Sequence, residues 1–140
     1  MRAVALAAVL VLASAAGVWA ADAGYWPKDA SVYLITPRNG ATVKNPITVR
    51  FGLKGVGVAP AGVSFPNTGH HHLLIDTDLP GNLDQPLPVT EHIKHFGKGQ
   101  TETTLTLPPG QHTLQLIFGD MSHIPHTPPL VSKKITITVE

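Results

Sequence analysis

Three consecutive histidines, His70, His71 and His72, open the segment GHHHLLID, and all eight histidines of the chain fall between positions 70 and 126. Neutral imidazole is the commonest protein ligand for zinc and for copper. A site for either needs three or four such groups brought together, with a carboxylate as an occasional fourth. Side chains alternate along a strand, so His70 and His72 share a face and His71 points to the other. The segment HIPH holds His123 and His126 three positions apart, with Pro125 stiffening the link. These features put forward His70, His72, His123 and His126 as ligands of copper or zinc, with His95 and Asp120 as the next candidates. Asp120 has a second role open to it, accepting a ligand's imidazole N–H from behind. Binding of this kind weakens as pH falls through about 6.5, because a protonated imidazole cannot coordinate. Two bland readings stand beside it: a polar strand end with imidazoles bonded to loop carbonyls, and a site for an organic or anionic ligand. His112 is set apart as a structural residue bonding the turn around Gly110. Asp76 and Asp78 read as shaping the turn before Pro80, and Lys98, between Gly97 and Gly99, as a solvated loop charge.

The elements that must position these groups are short strands. Glycine and proline, thirteen of each, punctuate the chain at short intervals, and no segment after the first twenty residues has a helical pattern. SVYLIT, ITVRFGLKG, HHHLLID, QTETTLTL, QHTLQLIFGD and SKKITITVE read as strands, several alternating apolar with polar residues. RNGATVKNP reads as a turn, VGVAPAGVSFPNTG as a loop, and TDLPGNLDQPLPVTEHIKHFGKG as a long irregular stretch. About seven strands in a domain of this size predict an all-β, immunoglobulin-like or fibronectin-like antiparallel sandwich. Val49, Phe51, Leu114, Leu116, Phe118, Ile135 and Ile137 are its expected core. In such a sandwich the third strand, HHHLLID, runs antiparallel to the sixth, QHTLQLIFGD. That places His70–His72 beside Asp120 and the loop MSHIPH. The fifth strand starts at the same end and is preceded by EHIKHFGKG. Three histidine-bearing segments therefore converge, and His112 falls at the opposite end.

The 140 residues suffice for one domain. Residues 1–20 read as a secretory signal: Arg2 gives a positive start, Ala3 to Val18 is almost wholly apolar, and Val18 and Ala20 supply small residues before a cut at Ala21. A cut after Ala23 and an uncleaved anchor are the other readings of the same stretch. Residues 21–31 form a lead and residues 32–140 the β domain. No later apolar run is long enough to cross a bilayer. The absence of cysteine excludes disulfides, thiolate metal sites and a cysteine nucleophile, and the expected location is periplasmic or secreted. A formal net charge of +1 with dispersed lysines and arginines argues against nucleic acid as a partner.

The segments GHHHLLID, HFGKGQTETTLTLPPGQHTLQLIFGD and HIPHTPP together resemble the bacterial family catalogued as domain of unknown function 4399, from about His70 to Val139. The resemblance implies a small exported β-rich protein with these histidine motifs and brings no activity, substrate or ligand set. The residues themselves favour an exported copper- or zinc-binding carrier, buffer or accessory factor. A module binding an envelope protein or a glycan through the same end is the competing reading. There is no nucleophile elbow, glycine-rich phosphate loop or HExxH segment, and neither expected mature terminus is a histidine. The chain thus reads as a binder rather than an enzyme, with a histidine-held hydrolytic metal as the enzymatic alternative.

Overall fold

The computed structural model describes residues 24–140. The candidate signal segment and both of its cleavage positions lie outside the described residues. Within them there are nine strands and no helix: β1 (Ser31–Thr36), β2 (Thr42–Val43), β3 (Ile47–Lys54), β4 (Gly57–Val58), β5 (Thr68–Ile75), β6 (Ile93–His95), β7 (Glu102–Leu105), β8 (Gly110–Gly119) and β9 (Ile135–Val139). All six segments read as strands from the sequence contain one. The additions are β2, inside the expected turn, β4, inside the expected loop, and β6, inside the irregular stretch. Each is only two or three residues long, too short for alternation to register.

Two sheets result. One has the order β1-β3-β7, antiparallel throughout. The other has the order β2-β9-β8-β5-β4, with β6 paired to β5. It is mixed, because β2 runs parallel to β9 and β4 parallel to β5. The fifth expected strand, here β7, pairs with β3 in the smaller sheet.

The sheets share one core. Val49 and Phe51 come from β3, Leu73 and Ile75 from β5, Leu114, Leu116 and Phe118 from β8, and Ile135 and Ile137 from β9. All seven core residues expected from alternation are buried there. In β3 the apolar positions Ile47, Val49 and Phe51 face this core while Thr48 and Arg50 face solvent, the period-two pattern of a half-buried strand. The lead reaches the core as well. Trp26 is buried among these residues, and its indole N–H donates to the Pro125 carbonyl at 2.6 Å.

β5 differs from β3 in being buried on both faces. Behind it, Leu74, Leu87, Ile93 and Ile117 form a second apolar cluster, covered further by Leu79, Leu83 and Val131. Leu79, Leu83 and Leu87 belong to the irregular proline-rich stretch, which therefore acts as a cover for the outer face of the larger sheet. Two backbone bonds moor it to the HIPH loop: Leu87 N–H to the His123 carbonyl (2.9 Å) and His126 N–H to the Leu83 carbonyl (2.8 Å). Leu116 sits at the centre of the main core with no exposed surface. Leu116→Ala is expected to lower the unfolding free energy by about 2–5 kcal/mol in urea titration, and a loss below about 0.5 kcal/mol, typical of surface changes, would contradict this placement.

Candidate metal centre

The registers of β5 decide which groups meet. On one side β5 pairs with β8, setting His70 opposite Gly119, His71 opposite Phe118 and His72 opposite Ile117. On the other it pairs with β6, setting His72 opposite His95. Residues directly opposite in an antiparallel pair lie on the same face. His70, His72 and His95 therefore share the outer face, continuing the row of Leu74 and Ile93, and His71 enters the main core.

The fourth group comes from the turn after β8. The His123 N–H bonds to the Asp120 carbonyl (2.9 Å), and the Asp120 carboxylate Oδ1 accepts the N–H groups of Ser122 (2.7 Å) and Ile124 (3.0 Å). This tight turn puts His123 in the left-handed region, φ 67°, which costs a side-chain-bearing residue about 1–2 kcal/mol. The turn folds His123 back over Gly119. A Cβ at Gly119 would lie 2.9 Å from His72 Cε1 and 3.2 Å from the His123 Cα, so the missing side chain makes the room. Gly97 has the same relation to His95, whose ring a Cβ there would overlap.

Each of His70, His72, His95 and His123 offers one ring nitrogen such that all four nitrogens lie within 4.8 Å of one another. His70 Nε2 is 3.0 Å from His123 Nδ1 and 3.2 Å from His95 Nε2. Tetrahedral ligation at 2.0–2.1 Å needs about 3.3 Å between nitrogens; these two contacts lie close to that, and the remaining pairs have to close from separations of up to 4.8 Å. His70 and His72 are fully buried, and His95 and His123 are half-buried. No hydrogen-bond partner is present for either nitrogen of His72 or for His70 Nδ1. Desolvation of unpartnered imidazole nitrogens is costly. A cation held by one nitrogen of each ring would offset that cost at one of the two His72 nitrogens.

Burial favours the neutral imidazole, the form able to ligate a metal, at His70, His72 and His95. Burial first, and then the neighbouring His123 and His95, lower the His70 pKa to about 4 against a pull upward from Asp120. Burial first, and then the surrounding histidines, lower His72 to about 2. His95 is lowered for the same reasons, burial and then His123. His70 and His72 thus take up protons only well below the ordinary imidazole range, lower than the sequence implied. Asp120 is itself desolvated, but its bonds from Ile124, His126 and Ser122 outweigh that and hold it ionised.

Of the six ligand candidates, His70, His72, His95 and His123 are brought together, and His126 and Asp120 fall outside the group of four. His126 also has a left-handed backbone, φ 64°. Its Nε2 bonds to Asp120 Oδ2 at 2.8 Å, and its ring stacks on Tyr25 at 3.6 Å. Asp120 builds the turn that carries His123 and places a negative charge near His70. The sequence ranked His126 above His95 because His95 lies in a stretch where no strand was legible. Its strand, β6, is three residues long.

His112 lies at the other end of β8. It is bonded through Nδ1 to Asp76 Oδ2 (2.6 Å) and through Nε2 to the Pro108 carbonyl (2.8 Å). Asp76 Oδ1 also accepts the Thr113 N–H at 2.8 Å. The bond to Asp76 raises the His112 pKa. Asp78 pairs with Lys134.

An all-β domain of two sheets with a four-histidine group on the outer face of its larger sheet is the class defined here. The chain belongs to the family Domain of unknown function (DUF4399), whose model matches residues 49–140. No curated protein matches the chain, and no solved structure does.

His71 provides a test of which imidazoles the fold itself uses. It is fully buried between Phe51 (5.2 Å) and Phe118 (5.1 Å), and neither ring nitrogen has a partner. An unpartnered polar group costs stability where an apolar one of similar size does not. His71→Leu is expected to raise the melting temperature. Burial lowers its pKa from 6.5 to about 4. Between those values the unfolded chain binds a proton that the folded one does not, so acidification destabilises the parent. The variant's advantage should therefore grow as pH falls from 6.5 toward 4. A melting temperature below the parent's at neutral pH would contradict the description.

Proposed function

We propose that this protein is an exported metal-binding protein, a carrier, buffer or accessory factor for zinc or copper(II), with His70, His72, His95 and His123 as ligands. One observation carries the reading: four ring nitrogens from three separate segments lie within 4.8 Å of one another. An all-imidazole set suits Zn(II) and Cu(II) better than Cu(I), which favours soft sulfur ligands. Export rests on the apolar start of the chain. The two-sheet core, with β5 antiparallel to β8, supports an immunoglobulin-like or fibronectin-like sandwich.

Calorimetric titration with Zn(II) and Cu(II) tests the site. His123→Ala is expected to weaken binding at least tenfold. His126→Ala, which removes the partner of Asp120 but no ligand, should weaken it less, and His112→Ala should leave it unchanged. Equal affinity in all four proteins would reject the site. Export is tested by the mass of the mature protein from an export-competent host. A terminus at Ala21 or Gly24 is expected, and a product that retains Arg2 would contradict export with cleavage.

A second reading, docking of an envelope protein or glycan, draws on exposed Val63, Phe65 and Met121. Val63 and Met121 flank a backbone bond from Gly62 N–H to the Met121 carbonyl at 2.9 Å. Partner binding that survives complete chelation would favour it.

A further inference from the structure

We propose that the loop Ala59–Gly62 is a positioning strap, which holds the three histidine-bearing segments in register with one another. The Ala59 N–H donates to the Gly69 carbonyl (2.8 Å), directly before His70. The Ala61 N–H donates to the Gly97 carbonyl (2.8 Å), two residues past His95. The Gly62 N–H donates to the Met121 carbonyl (2.9 Å), two residues before His123. Four consecutive residues thus reach β5, the end of β6 and the His123 turn. His72 needs little help, being paired on both edges of β5, and His70 is held opposite Gly119 by the long pairing with β8. His95 and His123 sit on a three-residue strand and on a turn, and the strap ties both back to β5.

Local chemistry explains how one loop aims its N–H groups outward. The Val63 N–H bonds to the Pro60 carbonyl at 3.1 Å, closing a four-residue turn with Gly62 in its third position at φ +82°. A turn of this type needs a left-handed residue there, hence glycine. It leaves the amides of Ala61 and Gly62 free to bond elsewhere. A Cβ at Gly62 would meet nothing within 4 Å. A Cβ there therefore acts on backbone conformation without touching the histidines.

The strap deepens the metal-binding reading and rests on it for its functional meaning, but its effect on the rings is measurable without metal. The experiment uses the mature protein with Gly62→Val, which disfavours the left-handed turn, and Gly62→Asn, which tolerates it. Two readouts are taken below the melting temperature of each variant. Ring-nitrogen NMR of the metal-free protein reports the contacts of His70 with His95 and His123. Co(II), a spectroscopic stand-in for Zn(II), reports affinity and ligand geometry. In Gly62→Val the ring-nitrogen shifts of His95 and His123 are expected to move, Co(II) affinity to fall at least tenfold and its visible bands to change. Gly62→Asn should restore all three. Wild-type ring shifts in folded Gly62→Val overturn the strap, whatever the metal result. Ring shifts that move as expected while the wild type itself binds no Co(II) support the strap and overturn the metal reading. Should Gly62→Val not fold, Gly62→Ala poses the same conformational question with a smaller side chain, and the same outcomes decide.

Discussion

A strand buried on both faces takes its polar side chains out of water, which is costly for any imidazole that no other group partners. β5 is such a strand, and three histidines stand in consecutive positions on it. Alternation divides them: His71 goes to the main core, and His70 and His72 to the outer face. The outer face answers with His95 from β6, held opposite His72 by strand pairing, and with His123 from the turn after β8. Gly119 and Gly97 leave the room these rings need. The proline-rich stretch from Asp76 to His92 seals the rest of that face with leucine.

The division of labour within the HIPH loop follows from the same geometry. Asp120 collects the amides of Ser122 and Ile124 and the ring of His126, so its carboxylate is fully engaged in building the turn. His123 is thereby carried over Gly119 to the other histidines. His126 is directed away, onto Tyr25 and toward Trp26 from the chain's lead. A carboxylate that shapes a ligand-bearing turn contributes through position and through its negative charge near a prospective cation.

Much of the site was legible in the residues and some of it was not, for reasons of length and conformation. Alternation over the eight residues of β5 separated His70 and His72 from His71, and the antiparallel placement of β5 and β8 brought them to the HIPH loop. His112 was correctly assigned to the opposite end, because it starts a long strand. The ranking of His126 over His95 did not foresee their placement. A turn containing two left-handed residues has no periodicity from which to read direction, and a three-residue strand within a proline-rich stretch has too little. The outer apolar cluster was hidden for a related reason. Leu79, Leu83 and Leu87 cover a sheet without belonging to any regular element. The two sheets and their core, by contrast, followed from strands long enough to alternate, as β3 and β9 show.

X-ray absorption at the metal edge of the zinc- or copper(II)-loaded protein, purified without an affinity tag, tests the four-histidine centre most directly. The arrangement of His70, His72, His95 and His123 predicts a first shell of nitrogen at about 2.0–2.1 Å. It also predicts outer-shell scattering equivalent to four imidazole rings, with one ring fewer in His95→Ala. A shell dominated by oxygen, or imidazole scattering that is the same in His95→Ala as in the parent, would contradict it.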